Sequence, residues 1–336
     1  MQRARAVAHS NIALVKYWGK REAIPGQPDD LNLPAVGSLS FTLDQLRSET
    51  EVAPADDDRD SFSLGGALHV DAAATKVFRH LDRIWQATGK AGPRPACRVT
   101  SINHLPTSAG LASSASGFAA LTLAGAAALG LHASPAALST LARRGSGSAA
   151  RSLWGGFVRL DRGHAADGSD CIARPLFPQR HWDLRLLIVH TAKGPKSIGS
   201  TEGMQRCRAT SPYYQPWVDT SEADLGAAEA AIAARDLGAL GAVMEASCFK
   251  MHACMMATRP PILYWNGTTL DVIRAVWSAR ESGLAAHVTS DAGPHVKVLC
   301  EVATAEPLAA RLRDLPGVFG LDVVGPGPDA HVEVLG

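Results

Sequence analysis

The rhythm of apolar positions changes several times along the chain, and each change marks an element. Alternating or continuous apolar runs over 4–17, 38–43, 67–70 and 96–102 predict strands. Val77, Phe78, Leu81, Ile84 and Trp85 recur at helical spacing and stop near Gly89, which predicts an amphipathic helix between strands. Further strands are expected at 156–160 and 184–190. From Ser200 the pattern turns helical, with alanine-rich segments near 221–235 and 237–257. The remainder reads as helix 269–282, strands 285–289 and 296–300, helix 303–312, and strands 319–324 and 331–335, together a compact α+β layer. A boundary near residue 182 divides the chain into an N-terminal domain, 1–182, and a C-terminal domain, 183–336.

One stretch imitates a membrane span, because no charged residue occurs from 99 to 142. Pro106, Ser108, Ser113, Ser114 and Ser116 interrupt its first half, and the apolar block from 118 to 131 is shorter than the ~20 residues a bilayer needs. It reads as a buried core helix. Ser134-Pro135 then supplies an N-cap and first turn for the next helix.

Composition narrows the function. With 336 residues and 46% of them hydrophobic, the chain can build cores in two domains, which excludes a disordered or fibrous protein. The net charge of +1 provides no field to gather polyanions, so generic nucleic-acid binding is not expected and an anionic ligand must be held by locally convergent donors. Six cysteines form no Cys-x-x-Cys pair and sit in apolar surroundings, as reduced thiols do; with no secretory-type apolar stretch in the first residues, a cytoplasmic location and no membrane association are expected.

Four constellations carry candidate chemistry. Pro106-Thr-Ser-Ala-Gly110-Leu111-Ala-Ser113-Ser114-Ala-Ser116-Gly follows a strand and runs into a helix. Small residues let the backbone approach a phosphate, helix-terminal amides point at it, and hydroxyls can donate to oxygen or coordinate Mg²⁺. The loop is neither a Walker sequence nor a Gly-x-Gly-x-x-Gly turn. Arg144-Gly-Ser146-Gly-Ser148-Ala-Ala-Arg151 places hydroxyls and a guanidinium suited to carboxylate or phosphate in one short segment. Asp291-Ala292-Gly293-Pro294 puts one carboxylate at a strand end; a functional role and a hydrogen bond to its own turn both fit. Asn11-Ile-Ala-Leu-Val-Lys16-Tyr17-Trp18-Gly19-Lys20 ends an apolar strand with an amide and two lysines.

Two clusters are better explained by structure. Asp56-Asp57-Asp58-Arg59-Asp60 lacks EF-hand spacing and reads as a solvated turn. Met251-His252-Ala-Cys254-Met255-Met256 offers soft metal ligands but lies in a helical pattern with no second ligand cluster, and reads as core.

Taken together, the four motifs resemble the GHMP small-molecule kinase superfamily and, within it, the mevalonate diphosphate decarboxylases. They occur in that family's order and span Asn11 to Pro294. The resemblance implies an α+β GHMP kinase fold with an N-terminal half like ribosomal-protein S5 domain 2 and a ferredoxin-like C-terminal half. It also implies ATP, Mg²⁺, a homodimer, and ATP-dependent decarboxylation of mevalonate 5-diphosphate to isopentenyl diphosphate, releasing ADP, phosphate and CO₂. By that pattern the catalytic residues are Asp291, Arg151, Ser114, Lys16 and Asn11. Pro106, Gly110, Leu111, Ser113, Ser114 and Ser116 would bind the nucleotide, with Ser114 on the metal. Asn11, Tyr17, Lys20, Ser146, Ser148, Arg151 and Ala292 would bind substrate.

The chain also departs from the pattern. Val36-Gly37-Ser38 stands where many relatives carry Asn-Ser-Ser, which weakens a polar role there, and Thr201 stands where some bacterial relatives place an arginine. A decarboxylase acting on mevalonate 5-phosphate, a kinase that stops at phosphorylation and a non-catalytic binding homologue are the competing expectations.

Overall fold

The computed structural model describes residues 1–22, 31–104, 113–194 and 197–336. Two long strands, β1 (Arg3–Val15) and β2 (Ser38–Pro54), form the backbone of a first sheet. Ala4, Ala6 and Ala8 of β1 are fully buried, and their small side chains let an equally alanine-rich helix lie close against the strand. That helix, α2 (Ser113–Leu129), is the uncharged stretch expected to be core, and among the described residues no helix is long and apolar enough to cross a membrane. It is flanked by α1 (Ala72–Ala87) and α3 (Pro135–Gly145), the latter capped by Ser134, whose Oγ accepts from Ala137 N at 3.3 Å.

β2 runs well past its expected end at 43. Its second half is polar but not exposed: Leu46, Ser48, Thr50 and Val52 alternate into the core, and the hydroxyls of Ser48 and Thr50 are satisfied by Ser116 at 2.8 Å and Ser101 at 2.9 Å. Internal hydroxyl pairing lets a strand be buried without an apolar signature. β3 (Ser61–Leu64), β4 (Ala67–His69) and β5 (Cys97–His104) continue the sheet, and the start of β2 pairs with β6 (Phe157–Leu160), which in turn pairs with β7 (Ala173–Phe177). β3 and β7 were not expected from the sequence.

The second sheet has the order β11-β8-β10-β9, all antiparallel, from β8 (Leu184–His190), β9 (Ala286–Ser290), β10 (Val296–Glu301) and β11 (Gly320–Val324). Helices α7 (Gly267–Glu281) and α8 (Val302–Arg313) cover one face. Between α7 and α8 on one side and the first sheet on the other lie α5 (Tyr214–Ala234) and α6 (Leu237–Met256), preceded by α4 (Ser200–Thr210). One core joins Ile12, Leu14, Phe41 and Leu43 of the first sheet to Leu225, Leu240 and Met244 of α5 and α6, and to Leu186, Ile188 and Leu299 of the second sheet. Each such side chain contributes about 1.5–3 kcal/mol on burial, so the two sheets are held by shared packing.

The last strand corrects the expected C-terminal layer. β12 (His331–Leu335) leaves the second sheet and pairs antiparallel with β1, from Arg3 opposite Leu335 to Val7 opposite His331. The open edge of β1 needs a hydrogen-bonding partner, and the chain's end provides it.

Candidate active site

β1 and the residues just after it tie three segments together: Lys16 reaches the turn between β9 and β10, Asn11 the 3₁₀ segment Gly147–Leu153, and Ser10 the first turns of α2. Beyond β1 the chain passes under α6, where Lys16 N donates to Ser247 Oγ at 3.0 Å. This docking buries the Lys16 side chain and sends its ammonium group to Asp291, 2.7 Å from Oδ1. A second ammonium reaches the same carboxylate from behind: Lys297 of β10 lies 3.0 Å from Oδ2. The two lysine side chains are 1% and 3% exposed, whereas that of Asp291 is 37% exposed. The carboxylate therefore looks into the cleft while both cations stand inside the protein. Burial works against ionisation of Asp291, but the paired ammonium groups outweigh it and hold the carboxyl well below the usual carboxylate range. Burial likewise pulls Lys297 down from its ordinary value, opposed by Asp291. The turn is stiff: Gly293 N donates to Asp291 O at 2.7 Å, and Ser290 Oγ lies 3.1–3.3 Å from the carbonyls of Asp291, Gly293 and His295.

Arg151 is buried on the opposite wall. Its Nη1 donates to Ser38 Oγ at 2.6 Å and its Nη2 to Asn11 Oδ1 at 3.2 Å, and its guanidinium stands 5.9 Å from the centre of the Tyr17 ring. Burial pulls its pKa down to about 10, which leaves it charged at neutral pH. Its Nε has no partner among the described residues. Asn11 completes the support, donating through Nδ2 to Ser148 O at 3.1 Å and to Ser152 Oγ at 2.8 Å. With both amide hydrogens used, Asn11 orients Arg151 and the 3₁₀ segment. Ser38 thus keeps a polar role that the departure at Val36-Gly37 had put in doubt.

Next to this wall is a set of hydrogen-bond donors. Tyr17 Oη is buried, without a hydrogen-bond partner among the described residues, and lies so close to Gly147 that a Cβ there would come within 2.2 Å of it. Ser146 and Ser148 present hydroxyls 3.3 Å apart. Lys20 is half-buried with no ion pair among the described residues, and burial, with Lys76 adding to it, lowers its pKa. Gly19, at φ +97°, makes the turn that separates Tyr17 from Lys20, and a Cβ there would meet Tyr214 Oη at 2.5 Å. Ala292 packs against the apolar cluster that contains Trp18 and Met251.

On the nucleotide side, Pro106, Gly110 and Leu111 and the side chain of Ser113 lie outside the described residues. Ser114 is exposed in the first turn of α2. Ser116 is not: it is fully buried, its hydroxyl 3.1 Å from Ser10 Oγ and 2.8 Å from Ser48 Oγ, and it ties α2 to β1 and β2. Among the described residues no three His, Cys, Asp or Glu side chains gather around a metal position. The residues present suit a Mg²⁺ ion carried on nucleotide phosphates with the Ser114 hydroxyl near it, since Mg²⁺ favours phosphate and few protein oxygens.

Comparison with known proteins bears on this arrangement. Residues 8–173 match the diphosphomevalonate decarboxylase-like N-terminal domain, and residues 186–318 the mevalonate 5-diphosphate decarboxylase C-terminal domain. Diphosphomevalonate decarboxylase of Gibberella zeae is 38% identical over 95% of this chain and 86% of its own length. The chain belongs to the diphosphomevalonate decarboxylase family. The human member is 36% identical over 86% of this chain and 74% of its own length. Mevalonate diphosphate decarboxylase from Staphylococcus aureus superposes with a TM-score of 0.90 at 34% identity, covering 99% of this chain and 98% of that one. A further structure, MDDEF in complex with MVAPP, AMPPCP and magnesium, gives 0.89 at 38% identity and covers 99% of both chains. The α+β architecture is thus the GHMP kinase fold of the diphosphomevalonate decarboxylases.

The structure brings Asn11, Lys16, Tyr17, Ser146, Ser148, Arg151 and Asp291 to one cleft and separates Ser116 from it. It restores Ser38, whose polar role the sequence had weakened, and adds Lys297, which sequence reasoning did not single out. A signal for Lys297 was present, because a lone lysine inside Val296-Lys297-Val298-Leu299-Cys300 must find a counter-charge if the strand is buried.

Proposed function

We propose that this chain is an ATP-dependent decarboxylase that converts mevalonate 5-diphosphate to isopentenyl diphosphate, releasing ADP, phosphate and CO₂, within the mevalonate pathway of isoprenoid biosynthesis. The observation that carries the reading is Asp291, one ionised carboxylate fixed between two buried ammonium groups at the cleft surface, facing a buried Arg151. ATP with Mg²⁺ supplies the phosphoryl group that turns a tertiary hydroxyl into a leaving group.

The chain's own residues do the rest. Asp291 accepts a hydrogen bond from the substrate's tertiary hydroxyl and aims its oxygen at the γ-phosphorus. Held this far below the usual range, its carboxylate is a weak base, so it orients the hydroxyl and takes up the proton only as the O–P bond forms, which suits a loose phosphoryl transition state. Lys16, beside the carboxylate, offsets the negative charge of the transferring group. When the tertiary C–O bond breaks and phosphate leaves, taking back the proton that Asp291 had accepted, positive charge grows at the carbon and the ionised Asp291 stabilises it. Arg151 holds the substrate carboxylate through its free Nε edge until the C–C electron pair moves into the new double bond and CO₂ departs. Tyr17, Lys20, Ser146 and Ser148 bind the diphosphate.

These donors outnumber what one phosphate requires, and unmet buried donors penalise the smaller ligand. Comparing kcat/KM for mevalonate, its 5-phosphate and its 5-diphosphate tests the substrate assignment. The diphosphate is expected to lead clearly, and preference for the monophosphate would overturn it. A cytoplasmic setting is supported by six free, buried cysteines. Homodimerisation follows the family resemblance, and light scattering in solution checks it.

A further inference from the structure

Lys297 lies on β10, an inner strand of the second sheet, opposite Ile188 on β8 and Thr289 on β9. Val296, Val298 and Cys300 point to the core under α7 and α8, while Lys297 and Leu299 point the other way, Leu299 into the core shared with α6 and the first sheet. An aliphatic residue would pack at Lys297 at no desolvation cost, and an ion pair buried purely for stability is seldom better than such packing. The ammonium instead reaches one exposed acceptor, Asp291 Oδ2 at 3.0 Å, and one carbonyl, His295 O at 3.4 Å. Lys16 takes Oδ1, so each carboxylate oxygen has its own cation and the carboxylate plane is set by two anchors from different sheets.

Resting on the decarboxylase reading above, we propose that Lys297 is a positioning residue for the reaction: it anchors Oδ2 of Asp291 so that the substrate hydroxyl meets a carboxylate of fixed orientation and charge. Lys297 touches neither substrate nor nucleotide and acts through Asp291. The groups facing that carboxylate are Lys16 after β1, Lys297 on β10, Cys248 and His252 on α6, and Arg151 across the cleft. His252 is neutral at working pH, its pKa drawn to about 3 by burial, and burial pushes the Cys248 thiol up, so the lysines and the arginine carry the field.

The test is a mutant cycle with a spectrum beside it. Lys297→Met should lower kcat about 10–100-fold while leaving KM for the substrate within about twofold. In an Asp291→Asn background the same change should cost no more than about twofold. With ¹³C-labelled aspartate, assigned by comparison with Asp291→Asn, the Asp291 carboxylate resonance at pH 7 should move in Lys297→Met while the other aspartate resonances stay in place. Equal loss in both backgrounds, or an unmoved Asp291 resonance, overturns the proposal. The spectrum needs no turnover, so it judges Lys297 even if the unaltered protein releases no CO₂, a result that would fail the functional reading alone. If Lys297→Met does not fold, folding restored by Asp291→Asn supports the pairing, and misfolding in both backgrounds makes Lys297 a structural residue and overturns it.

Discussion

Lys16 and Asp291 stand 275 positions apart in the chain and meet at 2.7 Å. Each comes from the end of a different sheet, so their contact requires the core that α5 and α6 share with both. Relative movement of the halves would change this distance, and the site's charge balance depends on the packing behind it.

Asp291→Asn preserves shape and removes the negative charge. ADP formation and CO₂ release should fall together by about 10²–10⁴, the range for a positioned proton-transfer group. Quench-flow measurement of both products checks this. ADP made at the normal rate with a phosphorylated intermediate accumulating would show that Asp291 serves only the second step.

Arg151→Lys keeps the charge and loses the fork that joins Ser38 and Asn11. Loss of a charged hydrogen bond of about 1.5–3 kcal/mol corresponds to about 10–100-fold in kcat/KM, measured by steady-state kinetics with the diphosphate substrate. Unchanged kinetics would remove Arg151 from carboxylate binding.

Gly147→Ala would place a Cβ 2.2 Å from Tyr17 Oη. The ring must shift, at about 1–3 kcal/mol in stability, and KM for the substrate should rise more than kcat falls. Thermal melting and kinetics on the same preparation test both parts. A normal KM would place Tyr17 away from the diphosphate.

Acidification should destabilise the fold through buried histidines. Burial, reinforced by nearby cations, lowers His80 and His252 to about 3 and His295 to about 4. The unfolded chain takes up these protons near pH 6.5 while the folded chain does not, so stability is full above that pH and falls as pH drops toward 4. Each proton contributes about 1.4 kcal/mol per pH unit, and three sum to about 4 at pH 5.5. Melting temperatures from pH 8 to 5 should be level at first and decline below about 6.5. A level profile to pH 5 would contradict the neutral, buried state of these residues.

Much of the architecture was legible because apolar periodicity reports burial. β8 lies at its expected limits and α6, α7 and α8 lie close to theirs, whereas α1 and α5 begin earlier than expected, at Ala72 and Tyr214. What escaped was burial without an apolar signature. The second half of β2 hides its hydroxyls in pairs, while β12, expected as a strand at its observed limits, pairs with β1 at the far end of the chain, and no local pattern reports that partner. In the site, Lys16, Arg151 and Asp291 stand in motifs with chemical character of their own, whereas Lys297 becomes meaningful only when β10 is set beside β9. Ser116 erred in the other direction: its place in a serine-rich loop suggested a ligand, yet helical periodicity turns it toward β1 and β2.

The central claim is that one site couples phosphoryl transfer to decarboxylation, and the direct measurement is product stoichiometry. With mevalonate 5-diphosphate and MgATP, ADP, inorganic phosphate and CO₂ should appear in equal amounts from the first turnovers. ADP without phosphate or CO₂ would make the protein a kinase, and absence of all three would leave only a binding protein, either of which contradicts the account.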